Sequence, residues 1–145
     1  AADAPVAPAA QGLSILVAED NQINALLIRS LLAKLGHHTV ITTDGNEALE
    51  SWLSAKSAGS PYDLVLMDIQ MPNLNGIETT KRIREVEAGQ PDRRTPVLAL
   101  TANTLVEDRY ACFEAGMDGF LIKPLDREKL AEALAVLAAS RHIAA

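Results

Sequence analysis

The stretch VLMDIQMP, residues 65–72, decides how this chain is put together. Val65, Leu66 and Met67 form an apolar run that suits a buried strand. The run stops on Asp68, and Pro72 closes it. A carboxylate is rarely buried without a partner, because stripping it of water is costly. A strand that ends on an acid therefore asks for other polar groups beside its carboxyl end.

Working outward, apolar runs alternate with helical patterns. Strands are expected at 14–18, 38–43, 62–68, 96–102 and 119–123. Helices are expected at 22–36, 45–58, 76–89, 105–116 and 126–139, with Gly36 and Gly116 as stops and Asp126 as an N-terminal cap. Five strand–helix units with continuous apolar strands imply an α/β fold, a parallel sheet covered on both faces. Right-handed crossovers make it doubly wound, and its crevice lies beyond the carboxyl ends of the strands. On a helical wheel of residues 23–35, Leu27, Ile28, Leu31, Leu32 and Leu35 share one face with Asn24, and that face is expected on the sheet. Ile23, Leu26, Ser30 and Ala33 fall on the other side.

The strand ends carry a charge problem. Glu19 and Asp20 follow strand one, Asp68 ends strand three, Thr101 strand four and Lys123 strand five. Three carboxylates held together repel, and burial worsens this. Lys123 offsets one charge and leaves about −2, which a divalent cation would cancel. Hard oxygen ligands in an open site suit Mg²⁺. An aspartate can also act as a nucleophile and form an aspartyl phosphate, and a lysine and a hydroxyl suit the transferring group. Singly, each residue has a plainer reading. Glu19 and Asp20 could cap the next helix, Asp68 could form a turn, Thr101 is common in strands, and Lys123 could be solvated. Their joint occurrence on four strand ends favours a site.

The 145 residues fit one domain. Aromatics are only 3%, so the core must be aliphatic. The net charge of −6 argues against direct nucleic-acid binding. The single cysteine, Cys112, forbids an intrachain disulfide, suits a reducing compartment and is expected as a small buried residue. No apolar run approaches a membrane span, and the first residues do not resemble a secretory signal. Residues 1–12 are Ala/Pro-rich and expected to be a linker or tail, 13–140 the domain, and 141–145 a C-terminal tail.

The segments ILVAEDNQIN, DLVLMDIQMPNLNG, LALTA and AGMDGFLIKP resemble the receiver domain of two-component response regulators, over about residues 14–139. The wording of EDNQIN and MDIQMPNLNG is most similar to receivers attached to hybrid sensor histidine kinases. The resemblance implies a flavodoxin-like five-stranded sheet of order 2-1-3-4-5. It implies that Asp68 is the phosphoacceptor, that Asp20, Asp68 and the Gln70 backbone carbonyl hold Mg²⁺ (or Mn²⁺), and that Glu19 reaches the metal through water. Thr101 matches the switch hydroxyl and Lys123 the lysine of the site. Phe120 stands at the rotating aromatic, where tyrosine is often found, and Lys123–Pro124 at a bond that is cis in the family. Asn103 and Gln70 flank the approach of water. The implied partner is a histidine kinase or histidine phosphotransfer protein, docking on Ile23, Leu26, Ser30, Ala33 and Pro124. The domain is then cytoplasmic and a monomer or weak dimer, with a membrane-attached parent left open. It is no ordinary enzyme alone, although its parent would be a protein histidine kinase.

Three other readings compete. One is a stand-alone single-domain regulator. An aspartate-nucleophile phosphatase would need a second acid where Gln70 stands. A nucleotide-binding module would need a glycine-rich phosphate loop after strand one, where Glu19 and Asp20 would repel phosphate.

Overall fold

The computed structural model describes residues 12–69, 71, 75–89, 94–101, 106–123 and 125–144. Five strands alternate with five helices. They run β1 (Ser14–Ala18), α1 (Gln22–Lys34), β2 (His38–Thr42), α2 (Gly45–Ser57) and β3 (Leu64–Asp68), then α3 (Gly76–Glu87), β4 (Val97–Thr101), α4 (Val106–Ala115), β5 (Gly119–Ile122) and α5 (Arg127–Ala144). All strand pairs are parallel, in the order β2-β1-β3-β4-β5. Every expected element is present. The last helix continues to Ala144, past the expected end at 139, because the Ala-rich sequence there offers no glycine or proline to stop it.

Side chains alternate along each strand, so the sheet feeds two cores. Leu16, Val65, Met67, Val97 and Ala99 meet α2, α3 and α4 through Ala48, Trp52, Ile83 and Cys112. Ile15, Val17, Leu64, Leu66 and Leu100 meet α1 and α5 through Ile28, Leu32, Leu130 and Leu134. Among the described residues Trp52 is the one fully buried aromatic, and its indole N–H donates to Thr95 Oγ1 at 3.1 Å. Cys112 is buried and free, as expected.

Helix starts are fixed by side-chain acceptors. Asn21, Asp44, Asn75 and Asp126 each accept the N–H three residues on, at 2.8–3.0 Å. On α1 the buried stripe is Ala25, Ile28 and Leu32, with Leu31 and Leu35 half-buried beside it. Leu27 departs from the expectation. It is 42% exposed, because the stripe is centred on Ile28 and Leu32 and Leu27 lies at its edge.

Below the strands, at their amino ends, an ionic network ties α3 to the loops around it. Arg84 donates to Glu87, to the Thr95 and Gly116 carbonyls, and to Asp118. Glu87 accepts from the Thr95 N–H and Asp118 from the Val97 N–H. Gly116 has φ +104°, and a Cβ there would meet the Arg84 side chain at 2.7 Å. A glycine is required for both reasons.

Candidate functional site

At the opposite ends of the strands, the chain leaves β1 at Glu19, β3 at Asp68, β4 at Thr101 and β5 just before Lys123. Hydrogen bonds past the strand ends hold these positions. The Glu19 N–H donates to the Thr42 carbonyl at 3.0 Å, and the Lys123 N–H to the Thr101 carbonyl at 2.8 Å. Glu19, Asp68 and Thr101 are buried, and Asp20 is exposed. Carboxylate oxygens of Glu19, Asp20 and Asp68 lie within 4.8 Å of one another.

Lys123 binds this group together. Its Nζ lies 2.8 Å from Glu19 Oε1 and 3.0 Å from Asp68 Oδ2. β4 stands between β5 and β3, so the long lysine stem crosses a strand to reach the acids. Burial first, and the hydrogen-bonded Asp68 next, push the Glu19 carboxyl up to about 7, against the opposing pull of Lys123 and the Asn21 N–H. For Lys123, burial alone would lower the ammonium. Its hydrogen bonds and attraction to Glu19 and Asp68 outweigh that, and the net direction is upward. The plainer reading of Glu19 and Asp20 as helix caps is replaced by a division of labour. Asn21 caps α1, while Glu19 Oε2 accepts the Asn21 N–H at 3.2 Å.

The structure thus brings Glu19, Asp20, Asp68 and Lys123 together and sets Thr101 on the same rim. Gln70, Asn103 and Pro124 lie outside the described residues. Phe120 is half-buried against the α2–α4 core. Its ring packs edge-on against Phe113, centroids 6.4 Å apart, and the Arg109 guanidinium sits 4.6 Å from its centroid. Arg109 and Phe113 did not stand out in the sequence, since nothing in a helix's periodicity shows which ring its residues will meet. Gly76 was also missed. A Cβ on it would fall 2.3 Å from the Asp68 carbonyl oxygen and 2.8 Å from Met67 Cγ, so α3 starts directly against the backbone of the acid. On α1, Ile23 is 80% and Leu26 67% exposed, and Ser30 and Ala33 are exposed as well.

Residues 15–135 match the response regulator receiver domain. The chain belongs to this family. Among curated relatives, hybrid signal transduction histidine kinase I of Dictyostelium discoideum is 41% identical over 120 residues. That match covers 83% of this chain and 7% of the relative. Histidine kinase 5 of Arabidopsis thaliana is 38% identical, over 83% of this chain and 15% of the relative. The receiver therefore spans a small part of the relatives it matches. Among solved structures, the receiver domain of sensor histidine kinase PA1611 from Pseudomonas aeruginosa superimposes with a TM-score of 0.76. It is 38% identical, the match covers 88% of this chain and 98% of that one, and it carries a magnesium ion in its active-site cleft. The receiver domain of CKI1 from Arabidopsis thaliana, complexed with Mg²⁺ and BeF₃⁻, gives 0.79 at 31% identity, over 90% of this chain and 92% of that one. This chain is a receiver domain of two-component systems, homologous to those of hybrid histidine kinases.

Proposed function

We propose that Asp68 is the phosphoacceptor and takes its phosphoryl group from a phosphohistidine. An Asp68 oxygen attacks phosphorus, the bond from phosphorus to the donor's imidazole nitrogen breaks, and the departing imidazole takes up a proton. What carries this reading is the convergence of three carboxylates and one lysine at the carboxyl ends of β1, β3 and β5. Lys123 neutralises part of the charge and is placed to bind a phosphoryl oxygen once it lets go of a carboxylate. Thr101 supplies a hydroxyl donor from the neighbouring strand.

The three clustered carboxylates fit a hard divalent cation. Asp20, Asp68 and the Gln70 carbonyl would hold Mg²⁺, or Mn²⁺, with Glu19 acting through water. When bound, the ion supplies the positive charge that lets an anionic donor approach an acidic rim. Once phosphorylated, Asp68 carries about two negative charges on its phosphoryl group in place of the single charge of its carboxylate. Thr101 then turns toward the phosphoryl group and Phe120 inward, which alters the surface of α4, β5 and α5.

The donor is a histidine kinase or histidine phosphotransfer protein. An apolar and small-residue stripe of Ile23, Leu26, Ser30 and Ala33 beside the acid rim suits a helix of a histidine-bearing bundle. Residues 13–140 form the domain, and the parent is a cytoplasmic-facing hybrid histidine kinase. The relatives support that parentage, as each carries a receiver within a much longer kinase. Among the described residues no helix is long and apolar enough to cross a membrane.

The test is labelling by acetyl phosphate with Mg²⁺. Wild type takes up one phosphoryl group and Asp68→Asn none. Stable labelling of Asp68→Asn at the wild-type level overturns the assignment.

A further inference from the structure

Beside the acid rim, between α1 and the start of α5, lies a cavity of about 20 Å³ lined by Glu19, Asn24, Leu27, Ile28, Lys123 and Leu125. It exceeds the ~10–15 Å³ that one water needs and is far too small for an organic ligand. Most of its lining surface is apolar, but three of its six lining residues, Glu19, Lys123 and Asn24, bring a carboxylate, an ammonium and a carboxamide. Leu27, Ile28 and Leu125 close the rest. Apolar cavities stay dry, whereas a water is stable where two to four polar groups hold it.

Lys123 has a reason to use such a water. An ammonium carries three donors. Asp68 accepts one at 3.0 Å, and Glu19 Oε1, an ion-pair contact at 2.8 Å that lacks a hydrogen-bond partner, faces a second. The third is left for another acceptor, and Asn24, whose carboxamide both donates and accepts, lines the same cavity from the first turn of α1.

We propose that this cavity holds one ordered water shared by Lys123, Glu19 and Asn24, and that Asn24 is a positioning residue for Lys123. This rests on the phosphoacceptor reading above. The water gives the ammonium a fixed third partner, so Lys123 stays extended over the rim when it gives up a carboxylate for the phosphoryl group. Without it, the ammonium loses one of the bonds that aim it, and a preorganised charge becomes a mobile one.

The test compares wild type with Asn24→Leu, which fills the cavity with apolar atoms, and Asn24→Ser, which keeps a hydroxyl partner. Phosphorylation by acetyl phosphate is expected to fall about tenfold in Asn24→Leu. Mg²⁺ affinity by titration calorimetry and the midpoint of thermal unfolding stay at wild-type values or rise. Asn24→Ser recovers to within about threefold of wild type. A crystal structure of the wild type shows one water within hydrogen-bond distance of Lys123 Nζ in this cavity. If Asn24→Leu fails to fold, Asn24→Ala is expected to show the same slowing. Labelling of Asn24→Leu (or, in its place, Asn24→Ala) within twofold of wild type overturns the proposal, as does a serine variant as slow as the leucine one, or a dry cavity in the crystal. Failure of the wild type to be labelled at all would instead overturn the phosphoacceptor reading.

Discussion

Replacing Gly76 by alanine puts a methyl group where the backbone leaves no room. The new Cβ would lie 2.3 Å from the Asp68 carbonyl oxygen, 2.8 Å from Met67 Cγ and 3.0 Å from the Asp68 carbonyl carbon. An ordinary carbon–oxygen approach is about 3.4 Å. The first turn of α3 must therefore retreat from β3 by roughly 1 Å, or the end of β3 must move. The nearest neighbours are backbone atoms, so a rotamer change cannot relieve the contact. Overpacking of this kind costs about 1–3 kcal/mol. Alanine's better helix propensity returns at most about 1 kcal/mol, and less at a first helical position. The expected net loss is about 1–2 kcal/mol, read by urea unfolding through the fluorescence of buried Trp52. Because the atom displaced belongs to Asp68, the chemistry should suffer more than the fold. A misplacement near 1 Å can cost ~100-fold in rate. Labelling by acetyl phosphate in Mg²⁺ measures this. A Gly76→Ala protein of wild-type stability that is labelled at the wild-type rate would show that α3 does not set the position of the acid.

Leu26→Asp adds a charge on an exposed face, so fold and acetyl phosphate labelling should survive, while transfer from the cognate phosphohistidine protein falls tenfold or more, a difference of only ~1.4 kcal/mol. Unimpaired transfer would place the docking face elsewhere. With a chelator present, the folded state keeps a proton on Glu19 up to about 7, where the unfolded chain releases it near 4.5. Stability linked to Glu19 is therefore full below pH 4.5 and is lost as pH rises to 7, by roughly 3–4 kcal/mol at ~1.4 kcal/mol per pH unit. Urea melts from pH 5 to 8 should show wild type losing ground to Glu19→Gln, and parallel curves would refute it. Arg109→Ala removes the cation over Phe120, worth about 0.5–1 kcal/mol. Amide resonances of Gly119–Ile122 should then shift toward their phosphorylated positions before any phosphoryl group is added, and unmoved resonances would refute a restraining role.

Much of this architecture is legible in the chain because it is local. Apolar runs of strand length, separated by helical patterns that Gly36 and Gly116 stop and Asp126 starts, leave few folds to choose from. Glu19, Asp68, Thr101 and Lys123 could be found because a polar residue ending an apolar strand is conspicuous. What escaped depends on distance in sequence. Arg84 and Glu87 look like an exposed ion pair on a charged helix, yet Glu87 is buried and Arg84 reaches Gly116 and Asp118. Gly76 reads as an indifferent helix start until β3 is placed beside it. Leu27 fits the wheel, but the wheel cannot say where a helix's buried stripe ends. The upward displacement of Glu19 also depends on burial and on Asp68, neither of which a spacing reveals.

The Arg84 network gives the two ends of one sheet different resistance to opening. At the base, one guanidinium joins a helix, two strand entries and a turn, so no single piece can peel away without breaking bonds to the others. At the rim, among the described residues, Lys123 is the cation that offsets the mutually repelling acids. Local opening near Asp68 and Lys123 is thus expected at a small fraction of the global unfolding free energy, while amides at Thr95 and Val97 exchange only with the whole domain. Whatever is attached below would then meet the end of the sheet that resists opening more.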